Sequence, residues 1–266
     1  MSGLAATRWP GWLAPISAAV GLLLAWEVLV RVNDIPHYLL PAPSLILRTL
    51  VDDWPTLAPS LLFTLKLTFA ALALAVAGGV ALAVLFALSP PIERAFYPFA
   101  VVLQVTPIIA IAPLILIYVD STFAALLICA WIVAFFPILA NTVIGLRSAD
   151  AHLRELFVLY RATPWQRLRL LLVPSALPYF LAGLKIAGGL SLIGAVAAEF
   201  VAGSAGKETG LASRVLEASF RNEIPRMFAA LLLISLTGIA IFIVFDRLSR
   251  RLLGHWHDSE IRTESG

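Results

Sequence analysis

Charged residues are scarce in this sequence. Lys, Arg, Asp and Glu together make up 13% of its 266 residues, apolar residues make up 61%, and the mean hydropathy is +0.94. A typical water-soluble domain carries about 25% charged residues, so this chain has too few charges to cover a soluble particle of 28.7 kDa. Its surface is therefore expected to face lipid. The net charge of +3 is modest and is not clustered as a nucleic-acid-binding surface requires, so we predict no nucleic-acid partner.

Cysteine and histidine are also rare. The single cysteine, Cys129, lies in an apolar run, so no disulfide can form within the chain. All four histidines lie outside the long apolar segments, which argues against a membrane-embedded enzyme with a Ser/His pair or a His–Glu metal box. Residues 255–258 read His-Trp-His-Asp, but this polar tail lacks the ligand set of a structural zinc site, and we predict no metal site. The nucleotide-binding pattern Gly-x-x-x-x-Gly-Lys-Ser/Thr is absent from the sequence, so we predict no bound cofactor.

Six apolar segments are long enough to cross a membrane, which takes about 20 residues in a helix. The sequence therefore predicts an all-α polytopic membrane protein with six transmembrane helices, forming a single domain over residues 1–266. The first segment lacks a convincing small-residue cleavage site and is expected to stay as a span. The predicted spans cover residues 12–30, 61–88, 96–119, 123–146, 177–201 and 227–245.

Proline, serine and glycine positions refine this picture. Pro107 lies inside the third span, which we predict to be kinked, because neighbouring helices can satisfy the carbonyl groups that a proline frees. Small residues in the fifth span are expected to let helices approach closely; they are Gly183, Gly188, Gly189 and Gly194. Ser44 is a suitable N-cap for a short interfacial helix over residues 44–54. Pro174 and Pro178 are predicted to break the chain before the fifth span.

The distribution of basic residues predicts the orientation. Six spans place both termini on one side of the membrane. With the termini in the cytoplasm, eleven basic residues lie in inside segments and six in outside segments. Because short cytoplasmic loops carry an excess of Lys and Arg, we expect both termini to be cytoplasmic.

The longest polar loop of the cytoplasmic side, residues 148–174, predicts two short helices. One covers residues 151–160, and a second begins at Thr163-Pro164, a capping hydroxyl followed by a proline in the first turn. Such a helix–turn–helix with exposed Arg and aromatic residues is suited to insert into a groove of a partner protein. An amphipathic connector that lies on the lipid headgroups explains the same pattern, and the residues alone leave both interpretations open.

This loop resembles the coupling motif of permease subunits from ABC importers, which reads Glu-Ala-Ala, three residues, Gly, nine residues, Ile-x-Leu-Pro. Glu155-Leu156-Phe157 occupies the Glu-Ala-Ala position, Arg161 the glycine position and Val173-Pro174 the Leu-Pro position. Residues 40–44, 112–114, 135–148, 174–185 and 198–200 are similar to segments of the subfamily that imports nitrate, sulfonates and taurine. The resemblance extends over residues 40–250. It departs from the motif where Leu-Phe replaces Ala-Ala and an arginine replaces the turn glycine.

The resemblance implies a bacterial inner-membrane permease with the architecture of type I importers. Its expected partners are two cytoplasmic ABC ATPase subunits that use ATP and Mg²⁺, a periplasmic solute-binding protein, a second permease copy in a homodimer, and membrane lipid. Its solute is expected to be a sulfonate, taurine, nitrate or a pyrimidine-like compound. The residues expected to contact the ATPase are Glu155, Leu156, Phe157, Tyr160, Arg161, Ala162, Thr163 and Trp165.

Four polar residues within the spans are candidates for the translocation pathway: Gln104, Thr106, Asn141 and Glu199. Polar groups at membrane depth either bind a solute or join helices. For Asn141 the structural role is preferred, and Glu199 is open to three readings: lining the outer gate, reaching the interface, or pairing with Lys207. The main alternative function is a secondary transporter driven by an ion gradient, although the sequence shows no convincing internal repeat.

Overall fold

The computed structural model describes residues 13–203 and 209–254, and these residues form helices without any strand. The helices are α1 (Leu13–Val32), α2 (Pro43–Asp52), α3 (Trp54–Leu88), α4 (Pro90–Val105), α5 (Ile108–Tyr118), α6 (Thr122–Arg147), α7 (Ala151–Leu159), α8 (Pro164–Arg167), α9 (Val173–Ala202), α10 (Leu211–Phe220) and α11 (Ile224–Leu253), and a π-helical turn, Leu168–Leu172, joins α8 to α9.

The prediction of an all-α membrane protein is confirmed. Five helical segments are long and apolar enough to span a membrane, namely α1, α3, α6, the continuous segment Pro164–Ala202 and α11. The bent pair α4 and α5 makes a sixth when the two helices are counted as one span. α6 lies between α3 and α9 and forms its most extensive contacts with them. In contrast, Val30 is the only buried residue of α1, which contacts the bundle mainly through α2. Cys129 is buried in the core between these helices, as expected.

The third span is broken rather than kinked. α4 and α5 meet at 101°, and Thr106 and Pro107 between them have extended backbone angles. Pro107 has no N–H to continue the helix, and its ring disfavours helical geometry at Thr106. Pro98 and Pro113 have the same constraints but lie inside helices that continue through them, so the break at Pro107 also depends on the packing around it.

Two other expectations about helix ends are wrong. Pro174 and Pro178 do not break the chain, because the π-helical turn leads directly into α9, with Val173 N–H donating to Leu168 O. Ser44 is not the N-cap of α2, because the helix begins at Pro43 and Ala42 occupies the cap position. Instead, the Glu27 carboxylate of α1 accepts hydrogen bonds from the backbone N–H and the hydroxyl of Ser44, at 2.9 and 2.7 Å. A carboxylate brought from another helix thus takes over the cap.

Glycine allows the closest approach of α6 and α9. A Cβ atom at Gly183 would lie 2.8 Å from Asn141 Cβ and 2.9 Å from Pro137 O, and one at Gly194 would lie 3.0 Å from Ala130 Cα. No neighbouring atom lies within 4 Å of such a position at Gly189. At Gly188 such an atom would lie 2.7 Å from the Phe245 ring of α11. The expectation that small residues permit close packing is therefore right for Gly183, Gly188 and Gly194 and wrong for Gly189.

Candidate functional site

The segment between α6 and α9 lies at one end of the bundle, where α3 and α6 end and α4 begins; we call this the coupling end. Asp150 starts α7, since its side chain accepts hydrogen bonds from the backbone N–H groups of His152 and Leu153, at 2.8 and 3.1 Å. This cap satisfies two of the free donors of the first helical turn. The first of the two short helices is thus fixed by a local sequence signal.

The turn after α7 holds the arginine that departs from the importer motif. Arg161 has a left-handed φ of 54°. Its N–H donates to Val158 O and the N–H of Ala162 donates to Phe157 O, both at 2.9 Å. This is the hydrogen-bond pattern of a Schellman motif, in which glycine is usual at the left-handed position. The chain therefore keeps the conformation that the motif glycine favours and holds an arginine side chain outward at this point.

α8 begins immediately after this turn. Thr163 Oγ1 accepts from the Gln166 N–H at 3.2 Å, and Gln166 Oε1 accepts from the Thr163 N–H at 2.8 Å. This reciprocal pair is a capping box, and Pro164 occupies the first turn without losing a hydrogen bond. The helix start expected at Thr163-Pro164 is confirmed, and the two short helices are joined by a hydrogen-bonded turn.

Large side chains on this segment are exposed. Tyr160 is 77% exposed, Trp165 66% and Leu156 43%, and Arg161 projects beside them. We call these four residues the coupling surface. Glu155 and Thr163 are also exposed, while Ala162 is half-buried. Phe157 differs from the others, because it is half-buried and packs against the core cluster of α3, α6 and α9.

Polar contacts connect this segment to the bundle, and sequence reasoning missed them. Arg147, the last residue of α6, forms an ion pair with Glu93 in the first turn of α4. Arg154 of α7 donates through Nη2 to the carbonyl oxygen of Arg147. The side chains therefore link α7 to α4 through the end of α6. The only sequence signal was an acidic residue in the first turn of a helix, where the helix dipole favours it.

The four pathway candidates are not brought together. Gln104 is exposed near the end of α4, and Thr106 lies at the break, where its hydroxyl donates to Val102 O at 2.7 Å. Asn141 is half-buried in α6, next to Gly183, and its side-chain amide donates to Pro137 O of the same helix at 2.8 Å. Their roles in transport stay predictions.

Glu199 lies at the opposite end of the bundle and is fully buried. Its carboxylate accepts hydrogen bonds from the Thr64 hydroxyl at 2.8 Å and from the Ala212 N–H at 2.9 Å, while Thr64 Oγ1 accepts from the Leu211 N–H at 2.9 Å. These contacts join α3, α9 and the N-terminus of α10, where a negative charge is favourable. The expectation that Glu199 reaches the interface is wrong, and Lys207 lies outside the described residues.

Gly210 completes this arrangement. A Cβ atom there would lie 2.1 Å from the carboxyl carbon of Glu199, so a larger residue would displace the carboxylate. Neither Thr64 nor Gly210 stood out in the sequence, because their significance depends on a contact with Glu199 that spans three helices.

The described part of the chain contains no group of three or more His, Cys, Asp or Glu side chains that could hold a metal ion. The His-Trp-His-Asp stretch at 255–258 lies outside the described residues.

The family of the chain follows from its sequence relatives. Residues 75–254 match the family described as the binding-protein-dependent transport system inner membrane component. The chain belongs to this family. It is an integral membrane protein and a permease subunit of an ABC transport system, as the resemblance over residues 40–250 implied.

Known permeases resemble the chain over most of its length. The formylaminopyrimidine transport permease protein ThiX of Halalkalibacterium halodurans is 35% identical, over 91% of this chain and 95% of that protein. The riboflavin transport system permease protein RibX of Chloroflexus aurantiacus is 31% identical, over 95% and 92%. The putative aliphatic sulfonates transport permease protein SsuC of Bacillus subtilis is 25% identical, over 94% and 89%.

A solved structure shares the fold of this permease. A chain from the crystal structure of an amino acid ABC transporter with histidines superposes with a TM-score of 0.62, at 20% sequence identity, over 76% of this chain and 96% of that chain. This likeness supports the arrangement of the helices and the architecture that the sequence predicted.

Proposed function

We propose that this permease, a single transmembrane domain over residues 1–266, forms half of the translocation pathway of an ATP-driven importer in the bacterial inner membrane. A second copy supplies the other half, a periplasmic binding protein delivers the solute, and both termini face the cytoplasm. ATP and Mg²⁺ are used by separate ATPase subunits. The observation that carries the proposal is the coupling surface, an exposed aromatic and arginine cluster held by two capped helices.

The composition of the coupling surface supports docking to a protein. Tyr160, Trp165 and Arg161 belong to the residue types that dominate binding energy in protein interfaces. Neighbouring large side chains that are exposed together mark an interaction site more often than scattered apolar residues do. Phe157 is half-buried and packs against the core of α3, α6 and α9. A force on the coupling surface would therefore be passed to the bundle through this contact.

The contacts of Arg147 provide a path for that force. Movement of α7 pulls on Arg154, which donates to the Arg147 carbonyl, and Arg147 is paired with Glu93 at the start of α4. α4 is the first half of the broken span. Closure of the ATPase subunits would then change the angle between α4 and α5 as a rigid-body switch.

Two observations support an organic solute over a small inorganic anion. Two relatives with more than 30% identity, ThiX and RibX, are named for heterocyclic compounds, formylaminopyrimidine and riboflavin. A cavity of about 360 Å³ between α5, α9 and α11 is walled by apolar side chains, including Ile109, Leu192 and Phe200. We therefore propose a pyrimidine-like solute first and a sulfonate such as taurine second.

The test is co-purification of the permease with the ATPase encoded beside it, followed by ATP hydrolysis and solute uptake in liposomes with the binding protein. We expect a stable complex and hydrolysis that the binding protein stimulates. Arg161→Glu is expected to weaken the complex or uncouple it, because it reverses a charge at a docked surface. Arg161→Gly is the comparison variant: glycine keeps the turn and removes the contact without reversing the charge, so it should weaken the complex less than Arg161→Glu does.

Two results would contradict the proposal. A properly folded permease that never associates with the ATPase would exclude the docking role of the coupling surface. Solute uptake driven by an ion gradient in liposomes without ATPase would support the secondary-transporter alternative instead. Wild-type coupling in Arg161→Glu would remove this residue from the contact.

A further inference from the structure

A polar cavity of about 260 Å³ lies at the coupling end, between the ends of α3 and α6, the start of α4 and the segment α7–α8. Its charged lining residues are Glu93, Arg147, Arg154 and Arg167. Three positive charges therefore face one negative charge. Apolar side chains, among them Phe86, form the rest of the wall.

The charges in this cavity do not balance. Glu93 is paired with Arg147, which leaves two guanidinium groups. Arg154 donates to the Arg147 carbonyl through Nη2, but its Nε is buried and has no hydrogen-bond acceptor. The Arg167 side chain is half-buried and forms no hydrogen bond or ion pair with the residues that the structure describes. Two cationic donors thus line one cavity without an anion of their own.

A partly buried charge without an opposite charge beside it is destabilising. The planar guanidinium group matches the oxygen atoms of a phosphate in a two-pronged geometry. Basic cavities between transmembrane helices near a membrane surface are typical places for anionic lipid headgroups. The apolar wall beside Arg154 and Arg167 suits the start of an acyl chain.

We propose that this cavity binds the phosphate group of an anionic phospholipid, held by Arg154 and Arg167. The bound phosphate connects α7 and α8 to the bundle and so stiffens the segment that carries the coupling surface. Lipid binding itself does not depend on the proposed transport function, whereas its effect on coupling rests on that function.

The test uses the full-length permease with vesicle lipids as probes. The protein is purified with phosphatidylglycerol or with phosphatidylcholine, and the retained lipid is measured by native mass spectrometry. We expect preferential retention of phosphatidylglycerol by the wild type and about tenfold weaker retention by Arg167→Gln, the loss expected for one charged hydrogen bond. Arg169→Gln is the matched control, because Arg169 is exposed and does not line the cavity.

The outcomes separate the possible occupants. Equal phosphatidylglycerol retention by wild type, Arg167→Gln and Arg169→Gln would overturn the proposal. If inorganic phosphate displaces the lipid and alone stabilises the wild type against heat, the occupant is a free anion and the lipid assignment is wrong. Arg167→Lys retains the charge but lacks the planar guanidinium group, so it replaces Arg167→Gln if that variant does not fold. Its retention of phosphatidylglycerol is expected to lie between those of the wild type and Arg167→Gln. If a variant loses solute uptake but retains phosphatidylglycerol as the wild type does, the lipid proposal stands and the loss is a transport effect.

Discussion

Replacing Gly183 by alanine tests how the two central helices pack. The new methyl group would lie 2.8 Å from Asn141 Cβ and 2.9 Å from Pro137 O, and the second of these atoms belongs to the backbone. The two helices must therefore move apart. Gly189→Ala is a matched control in the same helix, because no neighbouring atom lies within 4 Å of its new methyl group.

The expected magnitude follows from two opposing effects. Overpacking a close contact costs about 1–3 kcal/mol, whereas alanine is favoured over glycine in a helix by about 1 kcal/mol. Gly189→Ala keeps only the second effect and should be more stable than the wild type by about 1 kcal/mol. Because the helix preference is common to both variants, Gly183→Ala should be less stable than Gly189→Ala by about 1–3 kcal/mol.

The assay follows the reaction of the only thiol in the chain, Cys129, which is buried in the core. A thiol-reactive dye reports its exposure as the purified protein is heated. At about 3 °C for each kcal/mol in a domain of this size, the two variants should differ in Tm by about 3–9 °C. Equal Tm values, or a higher Tm for Gly183→Ala, would refute the close approach of α6 and α9 at this point.

Three further predictions concern the polar contacts. Arg161→Gly should raise the free energy of unfolding by about 1 kcal/mol, because it relieves a left-handed conformation; an unchanged Tm in the dye assay would contradict this strain. Glu93→Arg or Arg147→Glu alone should lower the uptake achieved per ATP hydrolysed, and the double exchange should restore it; failure of the pair to rescue would count against the path to α4. Hydrogen bonds from Arg226 lower the pKa of Asp53, so this pair should stabilise the fold above about pH 4 and lose its effect as the pH falls through the lowered pKa. The Tm gap between wild type and Asp53→Asn should therefore close in acid, and a gap that stays constant with pH would contradict the assignment.

Local signals predicted the coupling segment well. The capping hydroxyl of Thr163 and the following proline are a typical local signal for a helix start, and the structure confirms that start. The broken third span was predicted only as a kink, because whether a proline bends or interrupts a membrane helix depends on the neighbours of that helix. Ser44 was misassigned for a related reason, since Glu27 of another helix supplies the cap.

Composition and the long apolar runs were enough to predict a helical membrane protein, and the resemblance to importer permeases predicted its role. Runs of apolar residues fix the membrane-crossing segments, and a scarcity of charge forces their surfaces to face lipid. Only the tertiary structure decided which polar residues meet. Arg147 and Glu93 are 54 residues apart, and Thr64 and Glu199 are 135 apart. Such pairs leave no periodic trace in the chain, because they depend on which faces of the helices turn toward each other after packing.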